Sequence, residues 1–142
     1  MDKLHLHYEI DGDNFMAAGE ASSDVKRVLK QLNFDSDTVR RAAICMYEGE
    51  INMIIHADGG NADVTIDESA IEIVLADTGP GIADIDKAMQ EGFSTATAEI
   101  RELGFGAGMG LPNIKRHSDS LEIESRVGVG TTLTIRVGQS GA

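Results

Sequence analysis

Two pairs of short β-rich segments, each pair joined by a tight turn, most constrain the fold of this chain. Residues 62–67 and 70–76 are rich in apolar and β-branched side chains, and only Glu68 and Ser69 are expected to link them. Residues 120–126 and 132–137 flank the turn Val127-Gly128-Val129-Gly130. Because short turns join antiparallel neighbours and parallel strands need a long crossover, both pairs predict β-hairpins.

The remaining segments show one strand pattern and several helix patterns. Residues 4–10 alternate in polarity and predict a first strand, whereas residues 15–32 carry apolar side chains at helical intervals. A second helix is expected to begin at Asp35 or Ser36 and to end at residues 58–60. Its predicted apolar stripe consists of Ala43, Ile44, Tyr47, Ile51, Ile54 and Ile55. Further helices are expected at about residues 82–91 and at residues 111–117.

Hairpins grouped around helices favour an α+β fold, a two-layer sandwich with a mostly antiparallel sheet. The length of 142 residues predicts one domain. Between the third and fourth helices, residues 92–110 form a long segment punctuated by glycine. Such segments in compact domains are often functional lids, so we expect this one to be mobile.

The composition argues against several classes of partner. Against 12 Lys and Arg stand 24 Asp and Glu, and the resulting net charge of -12 opposes attraction to nucleic acid or to an anionic membrane. The chain shows no apolar run long enough for a signal peptide or a membrane span, which favours a cytoplasmic location. The single cysteine, Cys45, is expected to be a buried packing residue.

The glycines do not fit the common nucleotide-binding loops. No lysine follows a glycine, which excludes the phosphate loop G-x-x-x-x-G-K-[ST], and no window fits G-x-G-x-x-G. Instead, Gly106, Gly108 and Gly110 lead directly into a predicted helix, where backbone N–H groups can stabilise an anion. The alternative is a flexible linker, since glycine is above all a permissive backbone residue.

Two polar residues of the second predicted helix share one face. Glu48 and Asn52 are four residues apart, so they lie one above the other at the edge of the apolar stripe. The alternative is an ordinary polar flank exposed to solvent. Glu50 is expected to point to the opposite side and to be solvated, and Gly49 within the helix costs about 1 kcal/mol relative to alanine.

These motifs follow one another in an order that resembles a known superfamily. In chain order they are Glu48 and Asn52, Asp77-Thr78-Gly79-Pro80-Gly81, residues 106–111, and Gly130-Thr131. The order resembles the Bergerat-type ATP-binding fold of the GHKL superfamily. The segments EGFSTA, GMGLPNIKR and VGVGTTLTI are most similar to bacterial anti-sigma-factor serine kinases and the stressosome switch kinase. The resemblance covers about residues 19–137.

The resemblance implies a role for each motif residue. Asn52 would bind Mg²⁺ through its side-chain oxygen, and Glu48 would act as the general base toward an attacking hydroxyl. Asp77 would accept a hydrogen bond from the adenine amino group, and Thr131 would complete the adenine pocket. The glycines that would approach the base or the phosphates are Gly79, Gly81, Gly106, Gly108 and Gly110.

The resemblance further implies that residues 1–142 form a single GHKL ATP-binding domain with a lid at about residues 92–110. The implied activity is that of an ATP- and Mg²⁺-dependent protein serine kinase that phosphorylates a STAS-domain antagonist and regulates a sigma factor; a homodimer stays open. The alternatives are an ATP-dependent binding switch and a regulatory ATPase subunit with little turnover. Ala96 stands where relatives often have a lysine, and Lys115 and Arg116 either compensate for it or are merely solvated.

Overall fold

A computed structural model describes residues 3–12, 19–57, 59–79, 81, 89 and 110–139, with only the backbone described at residues 55–57. This part of the chain contains five strands and three helices. In chain order they are β1 (Leu4–Asp11), α1 (Glu20–Gln31), α2 (Ser36–Ala57), β2 (Gly59–Ile66), β3 (Ala70–Asp77), α3 (Gly110–His117), β4 (Ser120–Arg126) and β5 (Gly130–Gly138). None of the described helices is long and apolar enough to span a membrane.

The five strands form one antiparallel sheet in the order β1-β2-β3-β5-β4. Both predicted hairpins are present, as β2–β3 and β4–β5. Although α3 and β4 come between β3 and β5 in the sequence, β5 lies between β3 and β4 in the sheet. The expectation of an α+β fold with an antiparallel sheet is confirmed.

The sheet buries one face and leaves the other open. On β2, β3 and β5 every second side chain is buried, as the strand pleat requires. These residues are Ala62, Val64, Ile66, Ile71, Ile73, Leu75, Leu133, Ile135 and Val137. They pack against Val25 and Leu29 of α1 and Ala42 and Met46 of α2 in one hydrophobic cluster. The molecule is therefore a sandwich of one helical layer on one sheet.

The ends of the helices differ in part from the prediction. The first helix was expected from about residue 15, but α1 begins at Glu20, because Gly19 has a left-handed φ of 96° that a helix cannot continue through. Residues 13–18 lie outside the described residues. Asp35 accepts a hydrogen bond from the backbone N–H of Thr38 at 2.9 Å, as an N-cap does.

The glycines after α2 also differ in role from the prediction. Gly59 and Gly60 were expected to terminate the helix, but they open β2, where they pair with Asp11 and Ile10 of β1. Gly59 has a positive φ of 103°, and a Cβ there would lie 2.1 Å from the carbonyl oxygen of Ile10. The helix expected at residues 82–91 and the lid lie outside the described residues, except for the single position 89 and for Gly110, the first residue of α3.

The buried face of α2 is rotated relative to the predicted stripe. Ile51 and Ile54 are buried as expected, but Ala43 and Ile44 are only half-buried and Tyr47 is 38% exposed. The most deeply buried face instead carries Val39, Ala42, Cys45, Met46, Gly49 and Met53. A periodicity based on large apolar residues misses this face in part, because Ala42 and Gly49 are two of its six buried positions.

Candidate active site

Glu48 and Asn52 both face the first residue of α3. Glu48 is half-buried on α2. A Cβ atom placed on Gly110 would lie 3.5 Å from Oδ1 of Asn52 and 3.6 Å from Oε2 of Glu48. The two side chains therefore share one face of α2. The absence of a side chain at Gly110 leaves open the space directly in front of their oxygen atoms.

Two further residues of α3 shape the environment of Glu48. Burial raises the pKa of the Glu48 carboxyl above its ordinary value, while the nearby His117 and a side-chain hydrogen bond from Asn113 act in the opposite direction. The Nδ1 atom of His117 lies 2.8 Å from the carbonyl oxygen of Asn113. Since a carbonyl oxygen can only accept, Nδ1 carries the proton and the imidazole is held in one orientation.

A second polar cluster lies where β3 ends. Asp77 is the last residue of β3 and pairs with Thr131 of β5. Its Oδ1 atom accepts hydrogen bonds from the backbone N–H of Gly79 at 2.9 Å and of Thr131 at 3.2 Å. The hydroxyl of Thr131 lies 2.9 Å from that of Ser125 on β4. The other carboxylate oxygen of Asp77 accepts no hydrogen bond from any described residue, so it can accept one from a ligand.

Glycine permits close backbone approaches around Asp77. A Cβ on Gly130 would lie 2.2 Å from the Asp77 carbonyl oxygen, and Gly130 has a φ of 149°. Gly81 has a φ of 79°, and a Cβ there would lie 2.3 Å from the carbonyl oxygen of Arg126. The described contacts of Gly81 are thus with the end of β4, while Gly79 contributes its N–H to Asp77.

The two polar clusters border the same end of the sandwich. A Cβ on Gly60 would lie 2.9 Å from the sulfur of Met53 and 3.1 Å from the Cα of Asp77. Met53 follows Asn52 directly on α2, so this turn of the helix lies over the end of β3. The fold therefore brings Asn52 and Asp77 to the same region, although they lie far apart in the sequence.

The remaining residues singled out in the sequence are either not described or lie away from the polar clusters. Gly106, Gly108 and Ala96 lie outside the described residues. Lys115 and Arg116 are exposed on the last turn of α3, where cations stabilise a helix C-terminus. Cys45 is buried, its thiol lies 3.6 Å from the carbonyl oxygen of Ile114, and burial raises its pKa to about 12. These properties fit a packing role for the cysteine.

The expectation for Glu50 is wrong. Glu50 is only 2% exposed. Its carboxylate accepts hydrogen bonds from the backbone N–H groups of Gly19 at 3.0 Å, Ala21 at 3.4 Å and Ser22 at 3.2 Å. These are N–H groups that the first turn of a helix leaves without intrahelical partners. Glu50 thus joins α2 to the beginning of α1, and burial raises its pKa in spite of these bonds.

No role was assigned from the sequence to Asn113 and Ser125, which contact the motif residues Glu48 and Thr131, and none to Glu50, which joins two helices. Asn113 lies within the GMGLPNIKR segment, three residues after Gly110 and so on the same side of α3. That spacing is the signal that could have identified it. Nothing local in the sequence indicates the partners of Glu50, because its bonds connect two different helices.

The donor set fits a hard divalent cation held mainly by a ligand. Among the described residues, no group of three or more His, Cys, Asp or Glu side chains could bind a metal ion. Mg²⁺ in phosphate-binding sites, however, commonly takes only one or two protein oxygens and completes its shell with phosphate and water. The Asn52 oxygen, with the open space at Gly110 before it, meets that requirement.

The chain is similar to known proteins over most of its length. Residues 40–140 match the family described as histidine kinase-, DNA gyrase B-, and HSP90-like ATPase. The chain is 34% identical to the serine/threonine-protein kinase RsbT of Bacillus subtilis (strain 168), over 76% of this chain and 78% of that protein. It is 32% identical to the anti-sigma F factor of Thermoanaerobacter sp. (strain X514), over 83% of this chain and 85% of that protein.

A solved structure shares the fold. The mycobacterial sensor histidine kinase MprB matches with a TM-score of 0.54 at 18% identity, covering 96% of this chain and 98% of that chain. At this identity the likeness speaks for the fold alone. The superfamily resemblance inferred from the motifs is confirmed, and the chain belongs to the family of histidine kinase-, DNA gyrase B- and HSP90-like ATPases.

Proposed function

We propose that this protein is an ATP-dependent protein serine kinase that phosphorylates a STAS-domain antagonist and thereby regulates a sigma factor. The observation that carries the proposal is the position of Glu48, a half-buried carboxylate with a raised pKa beside Asn52 and Gly110. A module that only senses nucleotide needs groups to bind it but does not need a carboxylate poised to accept a proton.

Glu48 would act on the acceptor hydroxyl. The serine oxygen forms a bond to the γ-phosphorus of ATP while the bond from that phosphorus to the β–γ bridging oxygen breaks. The hydroxyl proton passes to the Glu48 carboxylate, and ADP leaves with the electron pair of the broken bond. The hydrogen bond from Asn113 would orient the Glu48 carboxylate. Because burial raises the pKa of Glu48, this carboxylate is a stronger base than that of an exposed glutamate.

Binding would rest on the other residues of the site. One carboxylate oxygen of Asp77 accepts no hydrogen bond from the described residues and suits the adenine amino group. The Thr131 hydroxyl lies 2.9 Å from that of Ser125, on the strand next to Asp77. Asn52 would hold Mg²⁺, which when bound neutralises phosphate charge. Asn52 thereby also fixes the phosphates near Glu48, one helical turn away.

The relatives support the choice of reaction and partner. One is named a serine/threonine-protein kinase and another an anti-sigma factor, and each aligns over three quarters or more of this chain. A STAS-domain protein as substrate, a sigma factor as the regulated target and a cytoplasmic location all extend these names to this chain. Residues 1–142 would act as one ATP-binding domain with residues 92–110 as its lid.

The decisive experiment is phosphate transfer from radiolabelled ATP to purified STAS-domain proteins of the same organism. We expect label on a serine of at least one of them, and a loss of about 10²–10⁴ in rate for Glu48→Gln. Glu72→Gln is the matched control, because Glu72 is exposed on the open face of the sheet. If the wild type transfers no label but binds its partner only with ATP, the kinase proposal fails and the binding switch replaces it.

A further inference from the structure

A groove runs between α1 and α2 and ends at the candidate active site. It has a volume of about 710 Å³, and Glu48 and Asn113 are among its lining residues. Its apolar lining includes Ile44 and Tyr47, the two large α2 side chains that the core leaves uncovered. This volume is in the range of sites that hold ligands or side chains of a partner.

The rim of the groove is basic although the protein is strongly acidic. Lys26 and Lys30 line it from α1 and Arg40 lines it from α2, whereas the net charge of the chain is -12. Glu48, at the active-site end, is the one carboxylate among the described lining residues. Since the net negative charge of the chain repels an acidic partner overall, the basic rim of this groove provides a local attraction for such a partner.

The cations of the rim are available to a partner. Lys26 and Lys30 are exposed and one helical turn apart, so their ammonium groups repel each other. Within the part of the chain that the structure describes, neither lysine forms an ion pair. Arg40 pairs with Asp37 at 2.9 Å, but both side chains are more than half exposed, so the pair contributes little and can be exchanged.

We propose that this groove binds an acidic, partly apolar segment of the protein substrate and leads its acceptor serine to Glu48. The inference rests on the proposed kinase function. The twelve residues of α1 span about 18 Å, a length that about five or six residues of extended chain would cover. Acidic side chains of that segment pair with the lysines, and its apolar side chains cover Ile44 and Tyr47.

Charge reversal in the groove tests the proposal. The double variant Lys26→Glu and Lys30→Glu changes only exposed side chains, so the fold is retained. The matched control is Lys3→Glu with Arg136→Glu, which changes the net charge equally at exposed side chains that lie outside the groove lining. The probes are purified STAS-domain proteins of the same organism, and binding is measured by calorimetry with ADP present, separately from phosphate transfer.

We expect the groove variant to weaken binding at least about tenfold, to raise KM for the acceptor protein and to leave kcat and the KM for ATP nearly unchanged. The control should stay within about twofold of the wild type. Equal binding by the groove variant and the wild type overturns the groove proposal, as does a wild type that binds no STAS-domain protein.

The binding measurement separates this inference from the proposed function. Wild-type binding that the groove variant loses, without any phosphate transfer, supports the groove and overturns the kinase. Sedimentation of the protein alone tests whether the groove instead binds a second copy of this chain. If the wild type self-associates and the groove variant does not, a second copy of this chain occupies the groove and the proposal is wrong.

Discussion

Gly49 lies so close to Leu75 that a Cβ atom on the glycine would be 2.1 Å from Cδ1 of the leucine. In isolation, a glycine within a helix is destabilising, and the sequence alone indicates a weak point in α2 at this position. The structure shows what the glycine provides, which is the close approach of α2 to β3. Because Leu75 is only 1% exposed, it has little room to move away.

Gly49→Ala should therefore destabilise the protein by about 1–2 kcal/mol, since overpacking outweighs the gain in helix propensity. In a Leu75→Val background, which lacks the δ-carbons, the same substitution should become neutral or stabilising. Urea unfolding of the four proteins in this double-mutant cycle gives the coupling. A Gly49→Ala protein more stable than the wild type would show that the contact is not limiting.

Glu50→Ala should lower the free energy of unfolding by about 3 kcal/mol, because it leaves the buried N–H groups at the beginning of α1 without an acceptor. Glu50→Gln keeps one acceptor oxygen and should lose less. Glu20→Ala, an exposed change in the first turn of α1, is the control. Urea unfolding followed by circular dichroism measures all three. A Glu50→Ala protein as stable as the control contradicts a bridging role.

Asp77→Asn should abolish the preference for adenine without disrupting the turn after β3. The amide oxygen can still accept the N–H groups of Gly79 and Thr131, but an NH₂ group replaces the other oxygen and faces the adenine amino donor. We expect ATP affinity to fall by about 100-fold or more. Calorimetry with ATP and ADP is the measurement, and wild-type affinity in the folded variant would exclude Asp77 from the adenine site.

Asp77→Ala is a less suitable variant, because it leaves two backbone N–H groups without their acceptor and should also reduce stability. The comparison of the two variants thus separates binding from folding. A variant that loses affinity while retaining the wild-type unfolding midpoint acts on the ligand alone.

The sequence predicts the sheet better than it predicts the helices, for a physical reason. β4 was expected at residues 120–126 and is found there, because short turns and alternating polarity are local signals. The orientation of α2 depends on contacts with residues that are distant in the sequence. Its buried face depends on Gly49 fitting against Leu75 and on Glu50 meeting the N–H groups of another helix, and neither contact affects the periodicity of α2.

In the candidate site, too, local spacing could be predicted from the sequence, whereas long-range contacts could not. Glu48 and Asn52 could be placed on one face from their spacing alone. The pairing of Asp77 with Thr131 depends on the register between β3 and β5, strands separated by more than 50 residues, which spacing within either motif cannot give. Asn113 was missed because its hydrogen bond to Glu48 depends on how α3 packs against α2.

Asp67 should contribute stability that the protein loses at acidic pH. Its carboxylate accepts hydrogen bonds from the backbone N–H groups of Ser69 and Ala70, at 2.8 and 3.0 Å, and from the Ser69 hydroxyl. These bonds lower its pKa in the folded protein. The folded state then holds its proton less tightly than the unfolded state, so this stabilisation is present above the ordinary pKa of about 3.9 and is lost as pH falls through the lowered value.

Asp67→Asn should therefore be less stable than the wild type near neutral pH, and the difference should shrink as pH falls below about 4. Thermal unfolding between neutral and strongly acidic pH measures it. Glu72→Gln, on the exposed face of the sheet, is the control. A stability difference for Asp67→Asn that stays constant through the acidic range would contradict the assignment.

Asn113 should influence phosphate transfer through Glu48 and not through nucleotide binding. Its side chain donates a hydrogen bond to the Glu48 carboxylate, which both lowers the pKa of Glu48 and orients it. Asn113→Ala should reduce kcat by about tenfold, less than the loss expected when the base itself is removed, because the carboxylate remains but is no longer held. The Kd for ATP should stay within about twofold, since the Asn113 side chain is engaged by the Glu48 carboxylate.

Single-turnover transfer from radiolabelled ATP and calorimetry with ATP measure the two effects separately. Glu122→Ala is the control, because it removes an exposed side chain of β4 that has no assigned role in the site. In a Glu48→Gln background Asn113→Ala should cause little further loss of kcat, since there is no longer a carboxylate to orient. An equal loss in both backgrounds would mean that Asn113 acts independently of Glu48, and a parallel loss of ATP affinity would place it in the nucleotide site instead.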